Sequence, residues 1–450
     1  MDQGQHLSTP LSASRRHIST QGEELIRVIM TADNHLSAYS PRLSPVKLTG
    51  RRRRLRAAFR QTIDTAIERQ AHLFIQAGDL FDMVDPRNLE REFVAAQLKR
   101  LQAAGIQTFA VSGNHDTPRQ KTEQGGTAPQ SIYHQLGGMH YFASSDQLEP
   151  VLVEAAGLRI AVAGLSYHPG VLPGADPLDH VQLYDPEEKL SQADLGLLIL
   201  HAALEGHAFP GEKEVFVRRS SLDRFDGFQV VLSGHVHAYD RFNVGNKAVV
   251  VCGATERMEY GQSEDRTGFV YLELTRQGLQ HSEHIPIKPQ PRHVITIRTT
   301  ELWPPQQPAP NGAKDTPGSG ITSADNLSPT ERIIQKLEPF CTEETMVKLV
   351  MEGPITREHY HQLDLRSIWL YGQEHAFSFE LDESRLLLKS EHDDEMIERG
   401  ERVAPREMME TIIYEWMEQS DSPEARAILA KTRQRVLERY DELSGKEVGA

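Results

Sequence analysis

Cysteine is scarce in this sequence. Only Cys252 and Cys341 occur among 450 residues, and they are far apart and not in CxxC spacing. Two isolated cysteines argue against a disulfide scaffold or a thiolate zinc site, and they indicate a reducing, cytoplasmic environment. We interpret both as small hydrophobic residues in or near cores.

Long apolar runs are also missing. No segment approaches the roughly 18–20 apolar residues that a transmembrane helix needs, so we expect no membrane span. Residues 1–24 are polar and lack the apolar stretch of a secretory signal, so we expect a disordered leader there.

Basic residues are also fewer than acidic ones. The sequence has 49 Lys and Arg and 64 Asp and Glu, which gives a formal net charge of −15. Residues 1–60 are nevertheless rich in basic side chains, whereas residues 381–450 are rich in acidic ones. Affinity for nucleic acid depends on local basic patches rather than on the net charge of the whole chain. The charge distribution therefore permits DNA binding without demonstrating it.

Short apolar runs of strand length alternate with helix-like segments between residues 25 and 274. Examples of the helix-like segments are residues 53–70 and 88–104. This alternation predicts an α/β layered core with buried strands, and the chain length allows two or three domains.

The chain after about residue 290 differs in composition from this α/β core. Residues 303–329 are so rich in Pro, Gly, Ser and Asn that we predict a disordered linker. It is flanked by predicted strands and a helix, which together make a small α+β module. The predicted organisation is a leader (1–24), an α/β domain (25–290), a small module containing the linker (291–390) and a helical tail (391–450).

Five polar motifs end the apolar runs, and in an α/β sheet the carboxyl ends of strands are where ligands gather. Separate strands could therefore deliver these side chains to one cleft. Two divalent metals can acidify a water and clamp phosphate oxygens, and an all-nitrogen and oxygen ligand set suits manganese, iron or zinc. The motifs are Asp33-Asn34-His35, Gly78-Asp79, Gly113-Asn114-His115-Asp116, His201 and Gly234-His235-Val236-His237.

These motifs resemble those of the calcineurin-like metallophosphoesterase superfamily. The segments TADNHLSAYSP and CGATERMEYGQSEDRTGFVYLEL narrow the resemblance to SbcD-type DNA repair nucleases, which work with an SMC-like ATPase. The resemblance implies a two-sheet α/β metallophosphoesterase sandwich, then a small α+β capping module that grips DNA, and a helical C-terminal tail.

The resemblance also implies two divalent metal ions, with manganese as the expected metal. His115 matches the catalytic histidine, which Asp116 would orient. Asp82 stands where some members have a histidine that assists exonuclease action, which leaves the balance of exonuclease and endonuclease activity open. One metal would be held by Asp33, His35, Asp79 and His237, and the other by Asp79, Asn114, His201 and His235.

The expected function is metal-dependent DNA hydrolysis, as exonuclease or endonuclease, in double-strand-break repair. The expected partners are DNA, an SMC-like ATPase bound through the C-terminal helices, and a second copy of this chain in a homodimer. One alternative is a phosphodiesterase for a small nucleotide or other phosphoester. Another is a DNA-end scaffold with vestigial chemistry, against which the complete ligand set argues.

A run of four arginines, Arg51, Arg52, Arg53 and Arg54, follows the first motif. It is either a phosphate-contacting DNA-binding patch beside the cleft or the solvated start of a helix. Helix geometry would splay the four side chains around the axis, so only some of them could face DNA.

The tail contains an apolar stripe at helical spacing, and Ser422 then caps a second predicted helix with Pro423 at its first position. These helices either pack on their own chain or dock on a partner, and the resemblance favours the partner. The stripe consists of Met409, Ile412, Ile413, Trp416 and Met417.

Overall fold

The computed structural model describes residues 24–119, 126–172, 174–206, 215–261, 266–303, 327–389, 413–414, 416–417 and 422–444. Nearly all of the predicted leader and linker lies outside these residues, as do Met409 and Ile412 of the predicted tail stripe.

The strands are β1 (Ile26–Thr31), β2 (Leu73–Ala77), β3 (Gln107–Val111), β4 (His140–Tyr141), β5 (Gln147–Leu148), β6 (Val151–Ala155), β7 (Leu158–Leu165), β8 (Gln182–Leu183), β9 (Leu195–His201), β10 (Ala203–Leu204), β11 (Phe216–Val217), β12 (Val230–Gly234), β13 (Asp240–Val244), β14 (Lys247–Val251), β15 (Gly268–Thr275), β16 (Gly278–Pro286), β17 (Arg292–Arg298), β18 (Met346–Ile355) and β19 (Ser378–Leu388). The helices are α1 (Pro45–Glu68), α2 (Asn88–Ala103), α3 (Gln130–Gln135), α4 (Lys189–Gln192), α5 (Arg219–Leu222), α6 (Thr299–Leu302), α7 (Pro329–Leu337), α8 (Arg357–His361), α9 (Leu365–His375) and α10 (Pro423–Ser444).

Two six-stranded sheets form the α/β core, with strand orders β16-β15-β1-β2-β3-β4 and β13-β14-β12-β9-β7-β6. Strands β1 to β4 are parallel neighbours, as are β14, β12, β9 and β7, while antiparallel strands complete the sheet edges. Alternate residues of both sheets, such as Val28 and Met30 of β1 and Leu197 and Ile199 of β9, share one fully buried cluster. The predicted two-sheet sandwich is confirmed.

Helices α1 and α2 pack on the other face of the first sheet. Leu55, Phe59 and Ile63 of α1 and Val94 and Leu98 of α2 join Phe74 of β2 and other residues in a second buried cluster. This apolar face recurs every three or four residues, which is the spacing of a helix that covers a core.

Helix α1 begins eight residues before the predicted start. Pro45 occupies its first turn, and the Ser44 side chain accepts a hydrogen bond from the Lys47 backbone N–H. Proline suits the first turn because its missing N–H has no partner in the helix there. The arginine run therefore lies inside α1 and not at a solvated helix start.

The chain divides into two compact units. The first comprises the described residues of 1–296, 333–350 and 366–382, and the second those of 297–332, 351–365 and 383–450. The predicted module of residues 291–390 is thus divided between both units. Strands β17, β18 and β19 form a three-stranded sheet in that order.

In the tail, α10 coincides with the second predicted helix, and Ile413 is buried whereas Trp416 is 55% exposed. Within the described ranges, no helix is long and apolar enough to cross a membrane.

Candidate metal centre

Five strand ends deliver the predicted ligands to one edge of the sandwich. The motifs after β1, β2 and β3 come from the first sheet, and those at the ends of β9 and β12 come from the second. The structure brings all seven predicted metal ligands together: Asp33, His35, Asp79, Asn114, His201, His235 and His237.

One half of the cluster contains Asp33, His35 and His237. The Nε2 atoms of His35 and His237 are 3.2 Å apart, and His237 Nε2 lies 3.6 Å from Asp33 Oδ1. His35 Nε2 is also 3.9 Å from Asp79 Oδ2. These atoms are close enough to bind one ion together.

The other half contains Asn114, His201 and His235. Asn114 Oδ1 lies 3.2 Å from His201 Nε2 and 3.1 Å from His235 Nδ1. Asp79 Oδ2 is 3.3 Å from His201 Nε2, so the Asp79 carboxylate contacts both halves of the cluster. That position is the one a bridging carboxylate needs.

Neighbouring groups fix the orientation of two ligands. His201 Nδ1 donates a hydrogen bond to the Ala77 carbonyl at 2.8 Å, which leaves Nε2 directed into the cluster. Asp79 Oδ1 accepts the backbone N–H of His115 at 2.9 Å, which leaves Oδ2 for the cluster.

The backbone at several ligands adopts the left-handed region. Asp33, His35, Asp79 and His235 have φ values of 49°, 45°, 50° and 86°. Such conformations are costly for residues other than glycine and cluster at functional sites. The loops are held together by hydrogen bonds, including Asp33 N–H to the Gly78 carbonyl at 3.0 Å and His235 N–H to Asp33 Oδ2 at 3.0 Å.

At two motif positions, predicted ligands lie so close to the backbone that only glycine fits. A Cβ atom at Gly78, whose φ is 90°, would lie 2.1 Å from His201 Nδ1. A Cβ atom at Gly113 would lie 2.2 Å from Asp79 Oδ1. Any side chain at these positions would displace a predicted ligand, so the glycines are as necessary to the cluster as the ligands.

The buried charges favour a cation. Burial raises the pKa of Asp33. Burial also opposes the charged form of His201, but Asp79 beside it raises the pKa of His201 to about 9. Burial lowers the pKa of His237 to about 3. Neutral imidazoles, a side-chain amide and carboxylates fit divalent metals of the manganese, iron and zinc class, and a bound cation would replace the compensating proton on His201.

His115 lies next to the cluster and is oriented by Asp82, so the prediction that Asp116 orients it is wrong. His115 Nδ1 is 3.4 Å from Asp82 Oδ1, and this hydrogen bond raises the pKa of His115 to about 9. Asp82 Oδ1 also accepts a hydrogen bond from His35 Nδ1 at 3.0 Å. Asp82 follows Asp79 by three residues, and that spacing could have revealed its role.

Asp116 instead braces the loop that carries Asn114. Its carboxylate is fully buried and accepts the backbone N–H groups of Gly113 at 2.7 Å and Phe81 at 3.2 Å, and it contacts the Gln130 amide. Burial raises the pKa of Asp116 to about 7.

The predicted DNA-binding arginines do not act as one surface. Arg51 is 3% exposed, and its guanidinium pairs with Glu256 and donates to Gln290. Arg52 is buried and donates to the Ala38 carbonyl, and Arg54 pairs with Glu344. Of the four, only Arg53 is exposed. The prediction of a phosphate-contacting patch is therefore wrong for Arg51 and Arg52.

Comparison with known proteins gives a consistent result. Residues 26–239 match the model of a family described as calcineurin-like phosphoesterase. The DNA double-strand break repair protein Mre11 of Methanosarcina mazei is 28% identical over 257 residues, which is 57% of this chain and 37% of that protein. The Mre11 proteins of Sulfurisphaera tokodaii and Methanopyrus kandleri are 26% and 25% identical, covering 54% and 62% of this chain and 59% and 60% of theirs. The chain thus spans between 37% and 60% of the length of these relatives.

Proposed function

We propose that this chain, which carries a calcineurin-like phosphoesterase domain over residues 26–239, is a metal-dependent nuclease. It would hydrolyse phosphodiester bonds of DNA. The observation that carries the proposal is the convergence of seven nitrogen and oxygen ligands from five strand ends, with Asp79 in contact with both halves. The DNA substrate is supported by the similarity to repair proteins named Mre11.

The cluster would hold two divalent ions, and we propose manganese as the physiological metal. When bound, such a pair supplies a water of lowered pKa and positive charge for the phosphate oxygens. Asp79 would be shared between the ions. The first ion would also take Asp33, His35 and His237, and the second Asn114, His201 and His235.

His115 would act on the leaving group and not as a ligand. Its side chain is 43% exposed at the edge of the cluster, and Asp82 holds Nδ1. With Nδ1 held by Asp82, Nε2 would be the atom that gives a proton to the departing oxygen. Asp82 favours the protonated imidazole, which is the form that general acid catalysis requires.

The partners in this proposal are DNA, a second copy of the chain and an SMC-like ATPase. The free cysteines Cys252 and Cys341 agree with a cytoplasmic location. Deletion of residues 405–450 should abolish co-purification with the ATPase while hydrolysis of a small diester continues. A truncated chain that still binds the ATPase would show that the tail is not the docking segment.

The rival function is hydrolysis of a small phosphodiester only, which would use the same metals. The decisive assay compares the purified chain on DNA and on an aryl phosphodiester, each with and without manganese. Exposed His180 provides a matched control. We expect manganese-dependent cleavage of both substrates and retention of both activities in His180→Leu. In His115→Leu, DNA turnover should fall about 10²–10⁴-fold, and aryl diester turnover should fall less, because an aryl oxide leaves readily without a proton. Cleavage of the aryl diester without cleavage of DNA would favour the rival.

A further inference from the structure

A cavity of about 310 Å³ lies against the second half of the metal centre. Asn114, His201 and His235 line one end of it, so any group bound there would be next to the phosphate of a substrate. The predicted ligands account for only this end of the cavity.

The rest of the lining is largely apolar. Leu165 at the end of β7, Leu200 on β9 and Val217 on β11 are buried and contribute to the walls. A phosphate gains nothing from such a surface, because burying an anion without polar partners is costly. The apolar walls suit instead an uncharged group that is covalently attached to the phosphate.

Two residues with aromatic side chains, Tyr167 and His168, also line the cavity. The Tyr167 backbone N–H donates to the Ser112 carbonyl at 3.0 Å, which ties this loop to the end of β3. His168 Nδ1 accepts the Gly170 N–H at 3.0 Å, which fixes the imidazole orientation. An imidazole held in this way provides a preorganised face for a flat ligand.

We propose that this cavity is a nucleobase subsite that receives the base of one unpaired nucleotide whose phosphate lies at the metal centre. The inference rests on the proposed function and deepens it. A cavity of this size is at the lower end of the range for small-molecule sites. It suits a single planar heterocycle, so the nucleotide would have to leave its stack and pair before hydrolysis.

Binding of two small ligands tests the proposal without relying on turnover. Titration calorimetry of the manganese-loaded protein compares 2′-deoxyadenosine 5′-monophosphate with 2-deoxyribose 5-phosphate, which lacks the base. Base stacking on aromatic side chains predicts that the nucleotide binds at least about ten-fold more tightly. Equal affinity of the two ligands for the wild-type protein would overturn the subsite.

Adjacent residues provide a matched pair of variants. Val171 lines the cavity, whereas Leu172 does not and is 74% exposed. Val171→Trp should fill the space and reduce nucleotide affinity to that of deoxyribose phosphate, whose own affinity stays unchanged. Leu172→Trp should bind both ligands as the wild type does. If Val171→Trp does not fold, Tyr167→Ala should lower nucleotide affinity in the same selective way, and full retention by a folded variant would refute the assignment.

DNA cleavage separates this inference from the function on which it rests. In a single-stranded oligonucleotide with one abasic position, cleavage at the phosphodiester beside that position should fall about ten-fold, and cleavage elsewhere should not change. Uniform cleavage would contradict the subsite while the nuclease proposal stands. Base-selective binding without any DNA cleavage would instead overturn the nuclease proposal and assign the cavity to a free nucleotide.

Discussion

Replacing Arg51 with methionine should destabilise the protein and should not act through DNA contacts. The Arg51 guanidinium is buried, and its Nη1 lies 3.1 Å from Glu256 Oε2 and 3.0 Å from Gln290 Oε1. Its Nη2 donates to the Arg257 carbonyl. Methionine preserves much of the volume but leaves the Glu256 carboxylate buried without its cation.

The magnitude follows from the burial of both partners, each of which has a side chain 4% exposed. Removing one partner of a buried ion pair costs about 3–5 kcal/mol. For a domain of this size that loss lowers Tm by roughly 2–4 °C per kcal/mol, or about 10 °C in total.

Thermal unfolding followed by circular dichroism measures this change. Arg53→Met is the matched control, since Arg53 lies on the same helix and is exposed, and its stability should change by less than about 0.5 kcal/mol. The double variant Arg51→Met with Glu256→Gln should recover much of the loss, because no buried charge is then left unpaired. The reasoning would be refuted by a wild-type Tm in Arg51→Met together with weaker DNA binding and a shallower salt dependence.

Four further predictions concern the metal centre. Asp79→Ala should abolish metal binding and hydrolysis, and an unchanged calorimetric stoichiometry for manganese would contradict the bridging assignment. His115→Leu should keep its metal content while turnover falls about 10²–10⁴-fold, so loss of one metal equivalent would mean that His115 is a ligand. Asp82→Asn should lower turnover more than Asp116→Asn does, whereas Asp116→Asn should have the lower melting temperature. If Asp116→Asn instead has the lower turnover and Asp82→Asn the lower melting temperature, Asp116 is the orienting residue. Gly113→Ala should weaken manganese binding, because its Cβ would lie 2.2 Å from Asp79 Oδ1, and wild-type affinity would show that the loop can move aside.

The sequence by itself determined the α/β core and predicted which polar side chains converge at its edge. Apolar runs ending in polar motifs predict buried strands whose carboxyl ends converge, and β1, β2, β3, β9 and β12 do end at one cluster. This inference succeeds because strand polarity and side-chain chemistry are local properties. The glycines of the motifs are part of the same local sequence pattern.

Tertiary structure alone decided which neighbours each polar side chain meets. Four consecutive arginines look equivalent in sequence, yet Arg51 is buried against Glu256 more than two hundred residues away while Arg53 faces solvent. Likewise, Asp116 is adjacent to His115 in the chain but points into the loop, and Asp82 reaches the imidazole instead. Burial and partnership of a charge depend on contacts between distant segments, which no local pattern specifies.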